Sequence, residues 1–170
     1  MPCTSRCTSC EIGWPKESGA TRDEPRLSVR SYDYGYLPTR VRRAWKRVGA
    51  LVRLGERDRA RETLDPIYDD LLERVDDDQK DEWVHAMGSY IGDYHRMWLE
   101  ATGGSISALP RLPSPKSLRA AMAYPRAYRD VVRPVAEEFS IPTYLMYAIM
   151  RQESRYRPAQ VSHADAVGAL

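Results

Sequence analysis

RVRRAWKRVGALVRLGE, residues 40–56, is the stretch whose reading decides the fold class. Val41, Ala44, Trp45, Val48, Leu51 and Val52 recur at the i, i+3, i+4, i+7 spacing that lays one apolar stripe along an α-helix. A half-buried strand would alternate apolar and polar residues instead, and no such alternation is present. Leu54-Gly55 ends the pattern, with Gly55 as the expected left-handed cap.

Toward the C-terminus, Ala60, Leu64, Ile67, Leu71, Leu72 and Val75 form a second helical pattern. Pro66 cannot donate a backbone hydrogen bond, so this element is expected to kink or restart there, with Asp65 as N-cap and Pro66 at N1. A third pattern is expected from about Asp78 to Ala101, carrying Trp83, Val84, Met87, Ile91, Tyr94, Met97 and Trp98, and stopped by Gly103-Gly104. Gly88 and Gly92 lie one turn apart, where a neighbouring helix can approach closely. Short turns between amphipathic helices predict helical hairpins or a piece of a helical solenoid. VGALVRLGERDRARETLDPIYDDLL, residues 48–72, looks like one unit of such an array, although two helix pairs do not establish a regular repeat.

The domain organisation follows from where these patterns stop. Residues 1–37 are expected to be a disordered leader, since the first 30 are rich in Ser, Thr, Gly, Pro and charge without apolar periodicity. Residues 38–102 form the helical segment, and residues 103–117, with Gly103, Gly104, Pro110, Pro113, Pro115 and four serines, form a linker. Residues 118–170 are a second unit, with helices expected around 118–123, 127–139 and 142–153. The predicted fold class is all-α.

Composition bounds the function. The 170 residues include 22 Arg and only 4 Lys, but acidic runs such as Asp76-Asp77-Asp78 bring the net charge down to +2. That balance argues against a dedicated nucleic-acid binder, whose affinity comes from excess positive charge. Arg40 to Arg47 is the densest basic stretch, and it reads as the solvated face of an amphipathic helix. No run approaches the roughly 20 apolar residues of a membrane helix. The first 30 residues also lack the apolar core of a secretory signal, which favours a cytoplasmic chain or one whose true start lies upstream.

Cys3-x3-Cys7-x2-Cys10 has the spacing of a [4Fe–4S] site in radical S-adenosylmethionine enzymes. That chemistry needs the motif after a strand, and here helices follow and no strand precedes, so the spacing is read as a coincidence or a mis-called start and no cofactor is assigned. His85, His95 and His163 are scattered without a second ligand at zinc-site spacing, so no metal is assigned either.

The chemistry-bearing candidate is Glu153, in the string IPTYLMYAIMRQESRY, residues 141–156. A Glu near a helix end is ordinarily a solvated surface residue. Its position nevertheless carries a physical argument. A carboxylate in the last turn faces the negative end of the helix dipole, which disfavours ionisation. Burial against Leu145, Ile149 or Tyr156 would act in the same direction and yield a proton donor. Leu145, Ala148, Ile149 and Gln152 are expected to share a face of this helix.

The string resembles the acid-bearing helix of the soluble lytic murein transglycosylase family, a run of apolar residues ending in Glu-Ser with an aromatic residue two positions after the Ser. Ser162 lies nine residues after Glu153, where the family has a Ser before its Gly-Ala-x-Gly-Leu-Met-Gln turn. Tyr124-Pro125 and Tyr128-Arg129-Asp130 fit the family's entry into the domain, so the match runs over about 48 residues. Asp165 stands where the family usually has Gly, and Ala169-Leu170 stand in place of Leu-Met.

The resemblance implies a lysozyme-like α-helical domain that cleaves the MurNAc–GlcNAc bond of peptidoglycan without water and without a cofactor, with Glu153 as the single acid/base. By carry-over Ser162 contacts glycan, although Ser at that place also suits a helix N-cap. Ser154 and Tyr156 are further candidates for substrate contact, with capping of the helix end as the ordinary role of Ser154. The resemblance also implies a periplasmic or cell-envelope location with glycan strands as the partner, and residues 38–102 are similar in style to the family's superhelical segment. The family's later Gln, Tyr and Asn motifs do not occur in the 170 residues, so the expectation is an incomplete domain and no measurable glycan cleavage by this chain alone. A non-catalytic helical scaffold of the cell envelope is the alternative.

Overall fold

The computed structural model describes residues 25–105, 114 and 116–158. Every regular element among them is helical: α1 (Thr39–Arg53), α2 (Arg57–Leu64), α3 (Tyr68–Leu72), α4 (Lys80–Ile91), α5 (Tyr94–Thr102), α6 (Leu118–Ala123), α7 (Arg129–Glu138) and α8 (Thr143–Glu153). The expected all-α class is what the chain adopts. No helix among the described residues is long and apolar enough to cross a membrane.

α1 buries Val41 and Val48 and half-buries Ala44, Trp45, Leu51 and Val52, so the expected stripe faces the core. Its basic residues Arg42, Arg43, Lys46 and Arg47 are exposed, and Arg40 pairs with Asp70 at 3.0 Å. Gly55, at φ +79°, closes the helix: Glu56 N–H reaches the Leu51 carbonyl at 3.0 Å and Gly55 N–H the Val52 carbonyl at 3.1 Å. These two bonds make a Schellman turn, and the chain returns as α2 packed on α1.

The second pattern does break at Pro66, through a single 3-10 turn at Asp65–Ile67 between α2 and α3. Asp65 does not cap it; its carboxylate instead pairs with Arg96 of α5. The third pattern is two helices rather than one. Gly92, at φ +75°, ends α4, and the Asp93 side chain accepts from Arg96 N–H as the N-cap of α5. This Gly-Asp pair is a stop signal followed at once by a start signal. α5 can then fold back onto α4, because a Cβ on Gly88 would collide with the Met97 side chain.

Two further expectations need correction. The expected leader is docked from residue 25 onward: Val29 and Tyr34 are buried in the main core. Trp83 donates its indole N–H to Tyr34 at 3.0 Å, and Tyr34 donates to the Val29 carbonyl at 3.0 Å. Aromatic burial with satisfied polar tips outweighs the polar composition of the flanking residues. Residues 1–24, with Cys3, Cys7 and Cys10, lie outside the described residues.

The linker also does not separate the cores. Met122 and Ala123 of α6 are buried in the first cluster with α1–α4, while Trp98 of α5 belongs to the second, with Ala127, Val132, Ala136, Met146, Met150 and Tyr156. α5 therefore has one side in each cluster, with Trp98 as its buried contribution to the α7–α8 cluster.

Candidate active site

α8 starts after Pro142, whose φ of −57° leads into the first turn, and it buries Met146 and Met150 against Val132 and Ala136 of α7 and Trp98 of α5. This inward face differs from the expected one. Leu145 and Ile149 share a face, but they are 44% and 41% exposed, and Ala148, Gln152 and Glu153 are exposed with them. Choosing between two apolar stripes on one helix depends on where α7 and α5 lie, which local periodicity does not encode.

Glu153 is the last residue of α8, the expected helix-end position. The expected burial is absent. Glu153 is exposed, and neither Leu145 nor Ile149, themselves exposed, encloses it.

The backbone after Glu153 turns sharply. Arg155 and Tyr156 are consecutive non-glycine residues in the left-handed region, at φ +51° and +65°. Such residues cost on the order of 1–3 kcal/mol each and persist where surrounding contacts over-determine them. Those contacts are present. Ser154 donates its hydroxyl to the Met150 carbonyl at 2.9 Å, Tyr156 N–H reaches the same carbonyl at 3.3 Å, and Arg157 N–H reaches Ser154 O at 3.1 Å. The Tyr156 ring is 1% exposed within the second cluster, and burial raises its phenol pKa above the ordinary value. From across the unit, Tyr128 donates its hydroxyl to the Tyr156 carbonyl at 3.3 Å.

Tyr128 is itself left-handed at φ +53° and packs edge-on against Tyr94 of α5 at 5.2 Å. Burial also raises the Tyr128 phenol pKa. The Arg151 guanidinium lies 4.8 Å from the Tyr124 ring centroid. Two tyrosines of the entry motif thus meet the C-terminal end of α8, although 28 residues separate Tyr128 from Tyr156.

His95 joins them from α5. Its Nδ1 lies 2.9 Å from the Arg155 carbonyl, and Arg157 Nε donates to its Nε2 at 3.0 Å. The ring stacks on Trp98 at 5.9 Å, and the Arg155 guanidinium lies 5.6 Å from the Trp98 ring. Burial, chiefly, holds the His95 pKa below its ordinary value; Arg157 and Arg155 push the same way, against the Arg155 carbonyl and Asp93. In the sequence His95 stands as a scattered histidine without a second ligand nearby. Only the fold reveals it, because its partners are 60 and 62 residues away.

The structure therefore sorts the expected site residues. Glu153 is presented to solvent at the helix end. Ser154 is buried and occupied in closing the helix, and Tyr156 is a core residue that pins the turn, so both act beneath the surface rather than on it. Ser162, together with His163 and Asp165, lies outside the described residues. A cavity of about 120 Å³ between α7 and α8 is lined by Arg126, Arg129, Arg133, Glu137, Thr143 and Tyr147, and Glu153 is not part of its wall. Among the described residues, no group of three or more His, Cys, Asp or Glu side chains is placed to hold a metal ion. No family model, no curated protein and no solved structure matches the chain.

Proposed function

We propose that the chain carries the acid-bearing part of a peptidoglycan lytic transglycosylase, with Glu153 as the single acid/base. The observation that carries the reading is Glu153 at the exposed end of α8, followed at once by a left-handed turn that Ser154, Tyr156, Tyr128 and His95 hold from below. Backbone strain kept by converging contacts is characteristic of sites where a side chain must be held in one direction. The sequence resemblance supplies the chemistry.

In this reaction Glu153 gives its proton to the glycosidic oxygen as the bond from MurNAc C1 to that oxygen breaks. The resulting carboxylate then accepts the proton of the MurNAc 6-hydroxyl as O6 bonds to C1. The products are a free GlcNAc 4-hydroxyl and a 1,6-anhydroMurNAc end, and no water is consumed. Ser162 contacts glycan in this reading, and the site of action is the cell envelope.

A second reading has its own observation. Phe139, Tyr144, Leu145 and Ile149 are all exposed around α8, and a run of exposed apolar side chains also suits a helical interaction module without chemistry.

One experiment separates the two. Residues 1–170 are joined to the remaining segment of a soluble transglycosylase domain, folding is checked by circular dichroism, and the protein is incubated with purified peptidoglycan. The enzyme reading predicts muropeptides with 1,6-anhydro ends, and a loss of at least about a hundredfold in their release on Glu153→Gln. A folded chimera that leaves peptidoglycan intact supports the module reading instead.

A further inference from the structure

The contacts of His95 have a consequence beyond the assignment of Glu153. Its two ring nitrogens face different partners on the turn after α8. One is a carbonyl, Arg155 O, which only accepts, and the other is Arg157 Nε–H, which only donates. Both contacts are satisfied by one form of the ring alone: neutral imidazole with its hydrogen on Nδ1 and its lone pair on Nε2. Protonation places a second N–H on Nε2, pointing at the Arg157 N–H, and sets two cations against each other at a separation of 3.0 Å. The Arg155 guanidinium, over the same Trp98 ring, adds further positive charge, and Asp93 at the start of α5 is the acidic group that offsets it.

We propose that neutral His95 is a positioning residue, a clamp that ties α5 to the Arg155–Arg157 turn and fixes the direction in which Glu153 is presented, and that acid opens it. Its consequence for catalysis rests on the assignment of Glu153, but the clamp does not. The turn is a fitting target for such control. Arg155 and Tyr156 occupy backbone conformations that need external contacts to persist; His95 supplies one of these to the Arg155 carbonyl and, through Nε2, also holds the Arg157 side chain. The lowered pKa of His95 agrees with a site that favours the neutral ring.

The test uses the 170-residue chain. The His95 ring is titrated by NMR, while hydrogen exchange of the Arg155–Arg157 amides is followed from about pH 8 to about pH 5 and corrected for intrinsic exchange. The expected result is a His95 midpoint below that of a free histidine and a loss of protection at the turn that follows the same titration. His95→Phe keeps an aromatic ring beside Trp98 but removes both hydrogen bonds, so it speeds exchange at the turn roughly fivefold near pH 8, as expected for one net hydrogen bond or more, and the difference from the wild type closes as acid opens the wild-type clamp. His95→Gln can donate to Arg155 O and accept from Arg157 without titrating, so it keeps the protection and removes its pH dependence. Unchanged exchange in His95→Phe, or a pH dependence that survives in His95→Gln, overturns the proposal. If His95→Phe does not fold, the coincidence of the two wild-type titrations decides it. A chimera without glycan cleavage would remove the catalytic assignment and leave this result standing.

Discussion

Trp83 and Trp98 are both fully buried, yet they anchor regions of different character. Trp83 lies in a cluster of eighteen buried side chains drawn from the docked N-terminal segment and from α1 to α6, and its indole N–H is taken by Tyr34. Trp98 lies in a cluster of seven, and its N–H has no partner among the described residues. The first region turns the stripes of α1–α4 inward and exposes Tyr36, at 84%, and Leu54, at 76%, only outside those helices. The second leaves Val131 at 64% and Tyr144 at 52% exposure on α7 and α8 themselves, and holds its shape through turns with positive φ at Tyr128, Ser140, Arg155 and Tyr156. The lesson is a division of labour. The larger core supplies stability, and the smaller one spends conformational strain to place one helix end.

If that contrast is right, Trp83→Ala has the largest effect, destabilising the protein by about 3–5 kcal/mol in urea unfolding. Both regions lose protection together, since α5 is shared between their cores. A hairpin that unfolds while the first region keeps its protection would break the comparison. Gly88→Ala comes next, at about 1–3 kcal/mol, because the added methyl meets Met97 where α5 crosses α4. Tyr128→Phe is smaller, about 0.5–1.5 kcal/mol, for the hydrogen bond to the Tyr156 carbonyl. Its effect on exchange should be largest at the turn after α8 and smaller in α1–α4.

The gentlest perturbation is pH. A lowered folded-state pKa means that the unfolded chain takes up the His95 proton first. The stability held by neutral His95 is therefore fully present above the unfolded value of about 6.5, and it is lost as pH falls through the folded value. Exchange at Arg155–Arg157 should rise over that window by more than exchange in α1 does. An equal rise in both regions would place the titration elsewhere.

Much of this contrast was legible in the residues. The stripe from Val41 to Val52, the Gly55 cap and the break at Pro66 follow from local chemistry and are as expected, although Asp65 is not the N-cap there. The break at Gly92-Asp93 carried a readable signal that the apolar run across it concealed. The docking of Val29 and Tyr34 was not legible, because it depends on Trp83 presenting its N–H about fifty positions later. At the site, Glu153 and its helix end could be located from sequence. Its exposure, the inward turn of Tyr156 and the arrival of His95 could not, since each is set by which face of α8 meets α5 and α7.

The most direct test of the central claim is the composition of the muropeptides released by the folded chimera and by its Glu153→Gln variant. With Glu153 as the acid/base, the first releases 1,6-anhydro ends and the second loses at least about a hundredfold of that release. Equal release from both, or reducing MurNAc ends that mark attack by water, would contradict it.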